Sequence, residues 1–366
     1  MPAAGYNMRL AELIYSAFPC VGLPISAHPP SNYCCICTFP IDTLDHHSLT
    51  VNLTDPVFRG RYHGRKKHQD DFAHMLVRSK RAGVASMIIT GGSLSESKQA
   101  LNLAKEHNLY ATIGCHPTRS GEFEKDPSGY FQALDELIGA NLSGPGRAVA
   151  VGECGLDYDR THFASTVVQQ RHFRSQLALA KKYHLPLFLH SRAAHGDFVQ
   201  ILREEGFGED GGRAVGGRGG VVHSFTGPPQ DAIDYINMGF HVSVNGCSLK
   251  TEENLAAVKV IVPRRIMFET DAPWCSMTST HASRKHIDSL PADLRELFLP
   301  RAVRAEAFVP GQPVKGRNEP NAVGGVAWVV HKVKEVPFEE IVEQGWRNTV
   351  ELFGLRELAD DPSREA

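Results

Sequence analysis

Eight short apolar runs recur between Ser48 and Thr270, and between them lie stretches with helical spacing; few folds accommodate that alternation. The runs are "SLTVNL" (48–53), "VASMIIT" (84–90), "YATIG" (110–114), "RAVAVG" (147–152), "PLFLH" (186–190), "GGVVH" (219–223), "FHVSV" (240–244) and "RIMFET" (265–270). They barely alternate between apolar and polar residues, as expected of parallel strands covered on both faces. In "STVVQQRHFRSQLALAKKYH", Phe173, Leu177 and Ala180 fall at i, i+4 and i+7, one face of a helix. Ser93 stands three before Glu96, a capping-box pattern, and Thr251 is a good N-cap. The spacing also predicts two last helices, in "AVGGVAWVVHKVKE" and "PFEEIVEQGWRNTVELFG".

Eight strands alternating with helices are what an α/β fold of the (β/α)8 TIM-barrel type requires. A doubly wound open sheet uses the same alternation, and periodicity does not separate the two. No GxGxxG follows the first strand, which counts against a dinucleotide-binding version. The rhythm breaks from Ser276 to Arg317, which reads as a long loop with one helical turn. Residues 1–45 read as a poorly ordered extension, 46–358 as the barrel and 359–366 as a tail. The extension is too broken by proline to span a membrane and lacks the basic start of a secretory signal.

Charge and cysteine content narrow the partners. With 39 basic against 41 acidic residues the chain is no general polycation, so any anion must be gripped by a local patch. Cys34, Cys35 and Cys37 cluster without a second pair at zinc-finger spacing, and Cys115, Cys154, Cys247 and Cys275 are scattered. A reducing, intracellular compartment (cytoplasm or nucleus) is the simpler expectation.

Chemistry-bearing residues gather at the ends of these runs. Asn52 closes the first, His116 follows the third, Glu153 the fourth, and His190, His223 and Asp271 stand at the ends of the fifth, sixth and eighth. A parallel barrel puts all strand C-termini on one face, so these side chains are expected to converge there. Imidazoles and carboxylates are the donors divalent metals take, and a carboxylate can bridge two ions. A single strand-end histidine is more often structural than a ligand; two with two acids favour a metal site. Two readings stay open for His116, a substrate contact or a structural histidine before Pro117. Glu269, two before Asp271, is either an acid supporting the site or a buried partner for a base.

With those residues in hand, the chain resembles the TatD-type deoxyribonucleases, most closely their eukaryotic TatD domain-containing branch. The resemblance runs from about Val51 to Gly354 and is carried by "NLTDPVFRG", "KHQDDF", "TGGSLSESK", "GCHPTRSGEFEK", "VGECGLDYDR", "FLHSR", "VVHSFTG", "NGCSLKTEENL", "ETDAPWC" and "RNEP". It implies a TIM barrel and hydrolysis of DNA phosphodiesters dependent on two divalent ions, Mg²⁺ foremost with Mn²⁺ or Zn²⁺ as alternatives. It also implies 3′→5′ exonuclease action on single strands or 3′ ends. The family's metal positions carry over to Glu153, shared between two ions, and to His190, His223 and Asp271. Strand one departs from the HxH pair common in the superfamily and reads "TVNLTD", so that ion has fewer protein ligands; His46 and His47 are not at HxH spacing.

On this reading Asp271 orients or deprotonates the attacking water, while His116 and Asn52 hydrogen-bond the scissile phosphate. Arg119 and Arg317 are the expected phosphate contacts, because guanidinium grips phosphate bidentately. For the basic stretch "FRGRYHGRKKHQ" (58–69), phosphate binding and a solvated loop are equally good readings. Two rivals remain: a hydrolase of another ester or amide, and a silent scaffold on an inherited barrel.

Overall fold

The computed structural model describes residues 46–355, with side chains from Val51 onward. The expected extension over 1–45 and tail over 359–366 fall outside the described residues, as do the side chains of His46 and His47. The strands are β1 (His46–Val51), β2 (Val84–Ile89), β3 (Tyr110–Ile113), β4 (Ala148–Asp157), β5 (Leu187–Arg192), β6 (Gly220–Val222), β7 (His241–Val244) and β8 (Ile266–Phe268). All eight lie in one sheet in sequence order, and every pairing is parallel. A parallel bridge from Val51 to Ala272 joins the first strand to the chain just past the last, with the Asn52 N–H donating to the Ala272 carbonyl at 2.8 Å. Sequential order plus that closure makes a barrel rather than a doubly wound sheet.

Helices follow the strands in turn: α1 (Phe72–Arg81), α2 (Leu94–His107), α3 (Pro127–Gly139), α4 (Thr166–Tyr183), α5 (His195–Glu204), α6 (Pro229–Asn237), α7 (Glu252–Val260), α8 (Val323–Lys334) and α9 (Phe338–Phe353). Phe173, Leu177 and Ala180 are all buried on the inner face of α4. The Thr251 cap is a full reciprocal box with Asn254. At α2 only half the box forms: Ser93 accepts from the Glu96 N–H at 3.2 Å, while the Glu96 carboxylate turns to Arg119.

The barrel interior is built in two layers. Phe188, Val221 and Met267 belong to one buried apolar cluster with Ile88, Tyr110, Leu352, Phe353 and Leu355. Two residues further along the same strands stand His190, His223 and Glu269. Side chains two apart on a strand share a face, so the interior turns from apolar to polar within one step towards the C-terminal end. The Phe188 ring stacks under His223 with centroids 4.8 Å apart and forms the floor of the polar layer.

The stretch 276–317 holds two short helices, Arg284–Ile287 and Ala292–Phe298, rather than one helical turn in a loop. Phe298 is buried, and its ring fills the space a side chain on Gly324 of α8 would take, 2.4 Å from an added Cβ. Tertiary packing of this kind leaves no local periodicity to read.

Glu153 does not end a strand. β4 runs on to Asp157, and its pairing with β5 shifts register between Gly152 and Cys154, so Glu153 is the extra residue of a bulge. Such bulges re-aim side chains. The flanking Gly152 and Gly155, at φ 143° and 142°, give the segment the look of a strand end while the ladder continues. A Cβ on Gly155 would lie 1.9 Å from the His190 carbonyl oxygen, in backbone that cannot retreat. Gly155→Ala is therefore expected to cost about 3 kcal/mol by overpacking. Chemical denaturation reads it, and an unchanged midpoint would refute the close approach.

Candidate metal centre and nucleic-acid cleft

Three imidazoles converge on one carboxylate oxygen at the C-terminal mouth of the barrel. Glu153 Oε1 lies 2.7 Å from His223 Nε2, 2.9 Å from His190 Nδ1 and 3.3 Å from His116 Nε2. The donor atoms of His116, Glu153 and His190 all fall within 4.8 Å of one another. His190 Nδ1 and His223 Nε2 are themselves 3.4 Å apart. Two ring nitrogens this close, both aimed at one acid, suit a shared cation better than each other. Mixed imidazole and carboxylate donors fit a divalent ion.

Two of the imidazoles have a carboxylate behind them. Asp157 Oδ2 faces His190 Nε2 at 3.3 Å, and Glu269 Oε1 stands 3.6 Å from His223 Nδ1. Carboxylates in this position fix ring orientation and raise ligand basicity. Glu269 is itself fixed by the Ser224 N–H at 2.8 Å, the Ser243 hydroxyl at 2.7 Å and the Asn245 amide at 2.8 Å. Of the two readings left open for Glu269, support of the site is the one its contacts favour.

His116 is arranged differently. The Thr118 N–H donates to its Nδ1 at 3.1 Å, so in the neutral ring the proton sits on Nε2. Burial holds it neutral, lowering its pKa to about 3. Facing Glu153 in that tautomer, it is a hydrogen-bond donor rather than a lone-pair ligand.

The Asp271 carboxylate stands apart from this cluster. Asn52 Nδ2 donates to its Oδ1 at 2.9 Å and the Cys275 thiol to its Oδ2 at 3.3 Å. Asp271 has no direct contact with the three imidazoles among the described residues, though His223, Glu269 and Glu153 act on it through their charges. Burial, reinforced by those two glutamates, pushes its carboxyl up to about 6. Burial opposes charge on His223 too, yet Glu153 and Glu269 outweigh it and raise its pKa well above the ordinary value. The mouth thus has a surplus of acid that a cation would relieve.

A cavity of about 670 Å³ opens directly over this group, lined among others by Asn52, His116, Arg119, Glu153, Arg160 and Trp274. Trp274 is 57% exposed, a large aromatic face left at the mouth. Arg119 is on this rim as expected, paired with Glu96 at 3.2 Å and Glu122 at 3.3 Å.

Arg317 is elsewhere, and the expectation for it is corrected. Its side chain has 0% exposure and grips Asp71 with both terminal nitrogens at 2.7 Å and Glu319 at 2.6 Å. Arg78 closes the network against Glu319 at 2.8 Å. A guanidinium shut off from solvent, with both terminal nitrogens taken by buried carboxylates, has nothing to offer a phosphate. The basic stretch after β1 forms an exposed hairpin, Arg61–Tyr62 against Arg65–Lys66, and its Arg59 pairs with Asp70 at 3.3 Å.

Sequence reasoning missed Asp157, Arg160, Arg192 and Trp274. "GLDYDR" carried the signal for Asp157 once Glu153 is a bulge. In "FLHSR", Arg192 is two residues beyond His190, the same-face spacing of a strand.

A family model described as TatD related DNase matches residues 61–354, most of the described chain. The chain belongs to this family.

Among its relatives, the Deoxyribonuclease Tat-D of Schizosaccharomyces pombe is 41% identical over 318 residues, covering 86% of this chain and 97% of that protein. The 3′-5′ ssDNA/RNA exonuclease TatD of Erwinia amylovora is 31% identical, covering 84% of this chain and 99% of the relative. An uncharacterized amidohydrolase from Saccharomyces cerevisiae superposes with a TM-score of 0.77 at 33% identity, over 84% of this chain and 99% of that one. Among TatD-related proteins this chain therefore matches along nearly the whole of each relative's length.

Proposed function

We propose that the protein is a metal-dependent deoxyribonuclease that hydrolyses DNA phosphodiester bonds and works as a 3′→5′ exonuclease on single strands. The observation that carries this reading is the convergence of His116, His190 and His223 on Glu153 Oε1, under a cavity rimmed by arginine and an exposed tryptophan. The Erwinia relative's name as a 3′-5′ ssDNA/RNA exonuclease supports the direction of attack.

Glu153, His190, His223 and Asp271 would hold one or two divalent ions, Mg²⁺ on the family resemblance. When bound, such ions stabilise charge developing on phosphoryl oxygens and make water a better nucleophile at neutral pH. The chain's own residues do the rest. Asp157 orients the His190 imidazole, and Glu269 supports that of His223 by its charge at longer range. Asp271, steadied by the Asn52 amide, is placed to accept the proton of the attacking water. His116 directs its Nε2–H at Glu153 and so holds that carboxylate in place, and Arg119 and Arg160 neutralise neighbouring phosphates. Trp274 offers a face on which an unpaired base can stack, a contact worth about 1–3 kcal/mol per base and tolerant of sequence.

Among the described residues Cys115, Cys154, Cys247 and Cys275 are free thiols, which supports a reducing, intracellular location. Among the described residues no helix is long and apolar enough to cross a membrane.

The test is hydrolysis of a labelled single strand with a free or a blocked 3′ end, beside a small ester panel. Chelation is expected to abolish cleavage, and add-back of Mg²⁺ or Mn²⁺ to restore it for the wild type but not for Asp271→Asn. Cleavage indifferent to chelator would end the metal reading. Ester turnover without DNA cleavage would move the substrate, and no turnover of anything would favour a scaffold.

A further inference from the structure

A second cavity, of about 470 Å³, opens beside the metal centre where β4, β5 and β6 end. Its lining includes Asp159, Arg192, His195, Phe225, Asp231 and Tyr235. It adjoins the centre through the chain itself: Asp159 follows Asp157 by two residues, Arg192 follows His190 by two, and Phe225 follows His223 by two. The two cavities therefore flank the Glu153 cluster.

The arginines at the mouth are not equivalent. Arg119 is held by Glu96 and Glu122, and Arg160 Nε lies 3.8 Å from Asp157. Arg192, at the last position of β5 and half-buried, makes no ion pair among the described residues. It lines the second cavity two residues beyond His190 on the same strand, which puts it beside the metal centre. A partly desolvated guanidinium without a close ion pair can take up an anion, and its planar fork matches a phosphate.

The remaining walls suit the other parts of a nucleotide. Phe225 and Tyr235, edge to face with centroids 6.1 Å apart and both buried, form a packed apolar wall behind the cavity. Asp231 is partly answered by His195 at 3.5 Å, and with Asp159 it can accept from base amino groups or a sugar hydroxyl.

We propose that this cavity is a nucleotide subsite, in which Arg192 grips the phosphate next to the scissile one while the strand lies across the Glu153 cluster into the Trp274 cavity. This rests on the nuclease reading of the centre. A substrate would then need at least one nucleotide beyond the cleaved bond for full affinity.

Two measurements on Arg192→Ala and Arg192→Lys test it, with Arg213→Ala at the opposite end of the barrel as control. The first is anisotropy of a labelled single-stranded oligonucleotide in chelator, across a salt series. Loss of one phosphate contact is expected to flatten the slope of log affinity against log salt by about 0.7 for Arg192→Ala. Arg192→Lys is expected to keep the slope but bind more weakly, and Arg213→Ala to match wild type. The second is steady-state hydrolysis: KM for the oligonucleotide is expected to rise about 10-fold in Arg192→Ala with kcat retained. Turnover of bis-4-nitrophenyl phosphate, which has no neighbouring phosphate, is expected to fall far less than cleavage of the oligonucleotide.

An unaltered salt slope and KM would overturn the subsite, as would an equal loss on the small diester. The two proposals fail separately. If the wild type cleaves nothing but Arg192→Ala still flattens the slope, the nuclease reading falls and the subsite stands. Normal cleavage with no Arg192 effect is the reverse.

Discussion

Glu153→Gln is expected to lower DNA hydrolysis by about a thousandfold or more while leaving the barrel folded. The amide has nearly the shape of the acid but no charge, and Glu153 Oε1 is the acceptor on which His190, His223 and His116 all converge. Its charge is also the main support for the raised pKa of His223. Metal-assisted stabilisation of a phosphoryl transition state supplies several kcal/mol, and about 4 kcal/mol corresponds to a thousandfold in rate. The variant should also titrate with Mn²⁺ more weakly by calorimetry, a readout independent of turnover. Activity within tenfold of wild type, with metal binding intact, would remove Glu153 from the centre and with it the proposed chemistry.

Arg317→Ala is expected to have the largest effect on stability and little on chemistry. The side chain is fully enclosed, with Asp71 and Glu319 both within 2.7 Å and the Phe58 ring 5.4 Å beneath the guanidinium. Removing it leaves two buried carboxylates with only Arg78 to answer them. Breaking a buried pair from one side costs about 3–5 kcal/mol, which should lower the melting temperature by roughly 10 °C. Lysine should not rescue it, because a single ammonium cannot replace the two-pronged contact with Asp71. At temperatures where the variant is folded, KM for DNA should match wild type. A selective rise in KM with unchanged melting would restore the phosphate-binding role that the burial of Arg317 argues against.

Stability should also respond to acid through the same network. Burial alone would raise the Asp71 pKa, but its hydrogen bonds and charge contact with Arg317 outweigh that and lower it. A carboxylate with a depressed folded pKa stabilises above its unfolded value, near 3.8. That contribution is lost as pH falls through the folded pKa.

The contrast between these residues shows what the sequence makes legible. His190, two residues before the end of β5, and His223, just past β6, could be read because strand period and parallel topology together dictate where they point. Arg317 could not, because its decisive partner, Asp71, is 246 positions away and its burial is a property of packing. Glu153 does stand at the mouth of the barrel, but as the extra residue of a bulge and not at a strand end. Glycines mark both strand ends and bulges, and only the register with β5 distinguishes them. The same ambiguity hid Asp157, which holds the true end of β4. Arg192 was overlooked although it obeys the spacing that singled out His190, because nothing local says that an arginine lacks a carboxylate neighbour.

The step from Phe188, Val221 and Met267 to His190, His223 and Glu269 has a wider consequence. What keeps the barrel standing and what it performs occupy adjacent storeys of one shaft. The upper storey can be refurnished, residue by residue, with the foundations untouched. Descendants of this architecture can therefore abandon or exchange their trade while keeping the same outline, so kinship of shape should always be checked against the furniture of that upper floor.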